Sequence, residues 1–352
     1  MPDIALQRLY NQRLLPPHLK TPAEVVSWLG VIQAQDFASA TWSIGVRLPG
    51  ITQAAVEQAI RDKAIVRTWA HRSTLHFLAA EDYRWIMDVV APAILRSHAP
   101  HYKKYDLDDD VFASVRPAVI KVLEGGRQLT RPEFFAELEK LGISAEGGRG
   151  SNILYRSALE RIICHSEMRG KDSTFTLLYE WLPPAKPLPR EEGIAKLAHR
   201  YFTSHAPATL ADFVWWTGLL TGEARAGLEA VKSEFVQEKI GKQTYWLPQS
   251  GSYQPVSSAV LLPGFDAYML GYKDRGDVLE PQHFIRIVPG SNGVFGYTMV
   301  LDGQIVGTWK RTIKKKAVEI TYSPFNPLDV DIFLPAAQGY GEFLELPVVI
   351  GA

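Results

Sequence analysis

The sequence predicts an α+β fold: a helical unit with a terminal β-hairpin, repeated three times, then a smaller β-rich region. Three observations carry that prediction. Helix-start signatures recur along the chain, an alternating stretch follows each helical run, and the texture changes near Pro255. At 352 residues the chain has room for roughly two to four compact units.

The helix starts come first. Thr21-Pro22-Ala23-Glu24 has a hydroxyl cap, proline at the first helical position and glutamate at the third. This is a capping box, in which each side chain satisfies an otherwise unpaired backbone N–H. Thr130-Arg131-Pro132-Glu133 has the same box with proline one place later, and Thr209-Leu210-Ala211-Asp212 is a weaker relative with aspartate in the third place. Each opens an apolar-periodic segment: Val25, Val26 and Leu29; Phe134, Phe135, Leu138 and Leu141; Phe213, Val214 and Leu219.

A further helix follows in each case ("TQAAVEQAIRDK", "SNILYRSALE" and "TGEARAGLEAVKSE"), and then alternating β-branched and aromatic residues broken by a turn. The turns are "AHRS" at Ala70–Ser73, Arg169-Gly170-Lys171-Asp172, and a third at Gly241. Helix, helix, helix, hairpin is the outline of a winged helix-turn-helix, so the expected fold is three tandem winged helix-turn-helix units. The competing reading is an all-helical bundle whose hairpins are incidental. "LPPAKPLPR" at Leu182–Arg190 is a proline-rich connector. Beyond Pro255, "HFIRIV" and "GVFGYTMVLDGQIVGTWKRTIKKKAVEITYS", with a turn at Asp302-Gly303, read as strands of a small C-terminal antiparallel β domain. The resulting divisions are 1–103, 104–189, 190–254 and 255–352.

Lys plus Arg and Asp plus Glu number 38 each, so the whole molecule exerts no net pull on a polyanion. Nucleic acid would bind through a local patch. The single cysteine, Cys164, excludes an intramolecular disulfide, a four-Cys zinc site and a cysteine-ligated iron–sulfur cluster. The N-terminal stretch is charged throughout and does not read as a signal peptide, and no run is long enough to cross a bilayer. The expectation is a reduced, cytoplasmic protein with no membrane association, and a monomer as the simplest state.

Familiar catalytic sets are absent: no phosphate-binding G-x-x-x-x-G-K-[ST] loop, no H-E-x-x-H and no G-x-S-x-G. Histidines such as His71, His76, His98 and His101 lack a framing ligand set, so they read as packing or solvated residues; no metal and no cofactor are expected. "KRTIKKK" at Lys310–Lys316 is either a solvated edge that discourages strand aggregation or a phosphate contact.

"GVIQAQDF" remains, with Gln33 and Gln35 around Ala34. In a helix such positions point about 200° apart. In an extended segment they share a face, roughly 6–7 Å apart, with the residue between them turned inward. Gly30 can end the preceding helix, leaving an extended run. Two amides on one face could hold a water molecule, since each offers donor and acceptor groups. The plainer reading is that they tie off backbone groups at a helix end.

"VIQAQDF…TWSIGVRL", "VRTWAHRSTLHFL", "APATLADFVWWTGLL", "LLPGFDAYMLGYKDR" and "GQIVGTWKR", in that order over most of the chain, resemble the AlkZ-type tandem winged-helix DNA glycosylases of bacteria. The resemblance implies three winged helices and a C-terminal β-barrel that together form a concave basic surface for double-stranded DNA. It implies DNA repair by a monofunctional glycosylase that hydrolyses cationic N7-alkylguanine lesions, interstrand crosslinks among them. The family's Gln–aliphatic–Gln catalytic motif falls on Gln33, Ala34 and Gln35, and a sister branch carries aspartate where Gln35 stands. Asp36 then reads as a supporting residue. One departure is the loop "AHRS", where the resemblance leads one to expect a methionine and a glycine near His71 and Ser73. In that frame Arg72, Arg169, Lys171, Lys310 and Arg311 are the candidate DNA contacts. The alternative function is a winged-helix DNA-binding protein or transcription regulator without catalysis.

Overall fold

The computed structural model describes residues 3–249, 253 and 256–351, so the division expected between 254 and 255 lies outside the described residues. The recurrent order is present three times, each time with a short extended element after the first helix. The first copy is Pro22–Leu29, strand Ile32–Gln33, helices Phe37–Gly45 and Gln53–Arg61, then strands Ile65–Trp69 and Leu75–Ala79. The second runs Asp109–Leu123, Leu129–Thr130, Arg131–Lys140, Arg149–Leu159, Ile163–Arg169 and Asp172–Leu177. In the third, helices Arg190–Ser204, Leu210–Thr217 and Thr221–Val231 precede strands Phe235–Ile240 and Gln243–Pro248, and a single bridge from Ala208 to Trp246 replaces the short strand.

The caps explain where these helices begin. Thr21 Oγ1 accepts from the Glu24 N–H at 3.2 Å, but the Glu24 carboxylate reaches one residue further back, to the Lys20 N–H at 2.8 Å. The box that looked weakest in sequence is reciprocal: the Asp212 N–H donates to Thr209 Oγ1 at 3.1 Å, and the Thr209 N–H donates to Asp212 Oδ2 at 2.9 Å. Gly30 ends the Pro22–Leu29 helix at φ 81°, its N–H donating to the Ser27 carbonyl, a backbone shape that costs glycine nothing.

Two hairpins fuse into one sheet. Its strand order is Ile32–Gln33, Leu75–Ala79, Ile65–Trp69, Ile163–Arg169, Asp172–Leu177 and Leu129–Thr130, with Arg67 opposite His165 at the joint. The C-terminal region is a second, five-stranded sheet over Ala259–Leu262, Thr298–Leu301, Gln304–Ile313, Val318–Pro324 and Val348–Ile350. Its end strands are not paired with each other, so among the described residues it is an open sheet rather than a barrel, and Val348–Ile350 joins it in parallel. The expected strand "HFIRIV" is instead a turn of 3₁₀-helix at Pro281–His283 followed by helix Phe284–Ile287. Its burial follows a helical period: Ile287 and Val288 are buried while Ile285 is exposed.

The sequence divisions do not coincide with separate cores. Val25, Val26 and Leu29 share one core with Trp309, Ile320, Tyr340 and Phe343 of the C-terminal region. Another core joins Tyr83, Leu159, Cys164, Tyr201 and Trp216 from all three repeats. The N-terminal helix Ile4–Asn11, expected within the first unit, packs Leu6 and Leu9 onto Leu262, Val300 and Ile305 of the C-terminal sheet. Among the described residues no helix is long and apolar enough to cross a membrane.

Candidate active site

The Gln33–Gln35 segment leaves Gly30 as an edge strand. Ile32 and Gln33 pair with Phe77 and His76, and the Ala34 N–H donates to the Leu75 carbonyl at 2.7 Å. Burial alternates as an extended chain demands: Ile32 and Ala34 are 1% and 0% exposed, Gln33 is half-buried and Gln35 is exposed. Neither glutamine side chain forms a hydrogen bond with a described residue, whereas the helix end is closed by Gly30. The plainer reading of the pair, as backbone caps, therefore finds no support. Capping falls to Asp36, which accepts from the Ser39 N–H at 2.6 Å at the start of Phe37–Gly45.

The peptide between the two glutamines is held from beneath. Arg67 Nε and Nη2 both donate to the Ala34 carbonyl, at 3.1 and 2.8 Å, and Nη1 donates to Ser173 Oγ of the second hairpin at 2.7 Å. Arg67 is 7% exposed. Burial pulls its guanidinium down to about 10, a shift that Asp36 partly opposes. Nothing in sequence marked this arginine; the only signal was a cation inside the alternating run "VRTW", which a buried strand does not ordinarily tolerate.

On the other side of the glutamines stands a wall of buried imidazoles. His76 lies directly across from Gln33, and its ring is 5.6 Å from that of His71. His71 in turn meets Trp216 at 4.5 Å, with Nδ1 at 3.2 Å from the Trp216 carbonyl. Burial drives both imidazoles toward the neutral form, His76 to about 3, and His205 on the far side of Trp216 is also pulled to about 3. They pack as expected from sequence, and no group of side chains among the described residues could hold a metal ion. Their neutrality has a consequence. Unfolded histidine titrates near 6.5, so below that pH the unfolded chain binds protons that the folded one refuses. From these three and the equally buried His165, stability should be flat from about pH 7 to 8 and fall below pH 6.5, by about 1.4 kcal/mol per pH unit for each of the four protons. Urea denaturation at pH 5.5 and 7.5 checks this.

The predicted cations are not equivalent. Arg311 is tied to the helix that follows the motif: Nε and Nη2 donate to Tyr297 Oη at 3.2 and 3.0 Å, and the same hydroxyl accepts from Ser39 Oγ at 3.0 Å. Lys310, one residue earlier on the same strand, is exposed on the opposite face of the sheet. Arg169 is engaged within its own repeat, pairing with both Glu133 oxygens at 2.7 and 2.9 Å and donating to the Gln128 carbonyl. Lys171 is exposed at the same hairpin turn. Arg72 is half-buried at the first hairpin tip, where it lies over Trp215. A cleft of about 640 Å³, lined by residues such as Trp28, Glu81 and Arg200, contains none of these side chains.

The AlkZ-like DNA glycosylase model matches residues 26–337. The chain belongs to that family. An interstrand DNA cross-link repair glycosylase of Streptomyces sahachiroi is 26% identical over 330 residues, which cover 86% of this chain and 85% of that one. The solved structure of Streptomyces sahachiroi DNA glycosylase AlkZ superposes with a TM-score of 0.83 at 23% identity, covering 99% of this chain and 98% of the other. This likeness shows a shared mixed α and β fold.

The stretches that carry family character are largely those that bolt this AlkZ-like fold together. Arg47 of "TWSIGVRL" is fully buried and forms a two-point ion pair with Asp266 of "GFDAY", at 2.8 and 2.9 Å. Asp212 of "ATLADF" accepts from the Lys273 N–H of "GYKDR" at 2.9 Å. Both contacts join a repeat to the C-terminal region.

Proposed function

We propose that this chain is a monofunctional DNA glycosylase that hydrolyses the N-glycosidic bond of cationic N7-alkylguanine in double-stranded DNA, interstrand crosslinks included. The observation that carries the reading is the pair of unengaged amides at Gln33 and Gln35, flanking a wholly buried alanine. The name of the Streptomyces relative, an interstrand cross-link repair enzyme, supports the substrate class.

The chemistry asks little of the protein. An N7-alkylated guanine is positively charged and leaves as a neutral base once its glycosidic bond breaks, so no general acid is required. The sugar becomes oxocarbenium-like and needs a water aimed at its anomeric carbon. Two preorganised amides can supply that aim. An unmodified guanine leaves badly, so a site with so little chemical power is selective for damage. Asp36 already serves as a helix cap and is a supporting group. Three winged helix-turn-helix units, divided near 103/104, 189/190 and 254/255, carry the hairpins to the duplex, and the chain acts as a monomer. Arg72, Lys171, Arg311 and, on the opposite sheet face, Lys310 are the cations available to phosphates. Arg169 would have to leave Glu133 to join them.

In this scheme Arg67 is a positioning residue. Its two donors fix the carbonyl between the amides, and replacing it by methionine keeps the packing while releasing the peptide. Arg67→Met is expected to lower kcat for base release by about tenfold to a hundredfold with KM nearly unchanged, since a misplacement of about 1 Å costs on that order. An equal fall in duplex affinity would instead make Arg67 a binding residue.

The test of the function is incubation of purified protein with duplexes carrying N7-methylguanine or a nitrogen-mustard crosslink, with chromatographic detection of the free modified base. Tight binding to one selected DNA sequence, with no release from either substrate, would favour the non-catalytic regulator.

A further inference from the structure

Two arginines that no carboxylate pairs with meet over one indole ring. Among the described residues Arg72 has no side-chain hydrogen bond or ion pair, and its Nε is buried without a partner. Arg275 donates Nε to the Met269 carbonyl at 2.8 Å, while its Nη2 is buried and unpartnered. Their guanidinium carbons lie 4.7 and 5.9 Å from the centroid of Trp215, which is itself 38% exposed. Asp212 and Asp274 lie close enough to favour the charged form of Arg275, yet neither forms an ion pair with it. Asp212 accepts from Thr209 and from the Lys273 N–H, and Asp274 accepts from the Gly276 N–H at 2.9 Å.

The arrangement is costly and deliberately held. Arg72 and Ser73 both have left-handed backbone, at φ 51° and 67°, which persists in non-glycine residues only where the surroundings enforce it. The enforcement comes from His71, docked on the Trp216 carbonyl. Burial and the charge of Arg275 together pull the Arg72 guanidinium down to about 10. Two like charges kept half-buried and close, with free N–H donors, form a receptor for an anion.

We propose that Arg72 and Arg275 jointly clamp one DNA phosphodiester over Trp215, and that this phosphate flanks the nucleotide presented to Gln33 and Gln35. The second half follows from proximity: Arg72 directly follows His71, whose ring is 5.6 Å from that of His76, and His76 stands directly across from Gln33. The basic rim continues past Trp215 into a cleft of about 420 Å³ bearing Arg225 and Lys273. The inference rests on the reading of this protein as a duplex-DNA enzyme, but it concerns binding alone.

The experiment is equilibrium binding to unmodified, fluorescently labelled duplex across a salt series, for wild type, Arg72→Gln, Arg275→Gln and the double variant. Each phosphate contact contributes about 0.9 to the slope of log affinity against log salt. Each single variant should lose about 0.9, and the double variant no more than either single, because one phosphate is shared. If a glutamine variant does not fold, Arg→Lys at the same position serves: affinity should drop at unchanged slope, as the charge stays and the fork is lost. Wild-type slope and affinity in folded variants overturn the clamp, and so does a double variant that loses twice the single value. Because no chemistry is read, a protein that binds in this way yet releases no base refutes the glycosylase reading and leaves the clamp standing. Absence of salt-dependent duplex binding by wild type removes both.

Discussion

Gln35→Ala is expected to slow release of N7-methylguanine from duplex DNA by about 100- to 1,000-fold, the usual cost of removing one preorganised polar group from a transition state. The fold should not notice. Gln35 is exposed, lies two residues beyond the strand and bonds to no described residue, so the thermal midpoint should stay within about 1–2 °C. Gln33→Ala should cost a similar factor in kcat. Its half-buried side chain sits on the paired strand beside His76, so here a small fall in stability is also expected. The double variant should be little worse than either single, because two groups that aim one water act as a unit. Single-turnover base release with excess enzyme is the measurement, since it separates the chemical step from product departure. Wild-type rates in both variants would remove the water-positioning mechanism even if excision itself were real.

Asp266→Ala should be the most damaging change to the fold, at about 3–5 kcal/mol. The substitution leaves the Arg47 guanidinium charged in a fully buried place, and also strips the acceptor from Ser43 Oγ and the Tyr268 N–H. Arg47 additionally donates to the Gln12 and Ser43 carbonyls, so the damage spreads to three segments far apart in sequence. Asp266→Asn, which keeps the shape and part of the bonding, should fall between the two. Burial alone would raise the Asp266 carboxyl, but Arg47, Ser43 and the Tyr268 N–H outweigh it and hold it below the ordinary range. Its folded pKa is therefore depressed, and its contribution is fully present above about pH 4. It is lost only as pH falls through the lower folded value. Acid loss between pH 6.5 and 5 should therefore persist in Asp266→Ala, since it belongs to the buried histidines. Urea denaturation of both proteins at two pH values tests magnitude and sign together.

Local chemistry made much of this protein legible in its sequence. Thr–x–x–Glu and Thr–x–x–Asp boxes marked helix starts because the bonds they form span three residues. Alternation marked the hairpins because strand side chains have a period of two. The same period predicts Gln33 and Gln35 on one side of Ala34, and burial alternates from Ile32 to Gln35 in keeping with it. Where the reading failed, local pattern was ambiguous: "HFIRIV" suits a strand by composition, yet its inward positions follow a helical spacing, which a run so short does not reveal.

By itself, then, the sequence determined the order of elements, the extended run that carries Gln33 and, through resemblance, the family. Only the tertiary structure decided which of the candidate cations are free, among the described residues, and which are engaged. Lys310 and Arg311 are neighbours in sequence but lie on opposite faces of one strand, and Arg169 is drawn off by Glu133. It also set Arg67 under the Ala34 carbonyl and brought Arg275 to Arg72 across about two hundred intervening residues. The physical reason is range. Caps, turns and periodicity act within a few residues and are written locally, whereas burial and charge pairing depend on which distant surfaces the cores bring together.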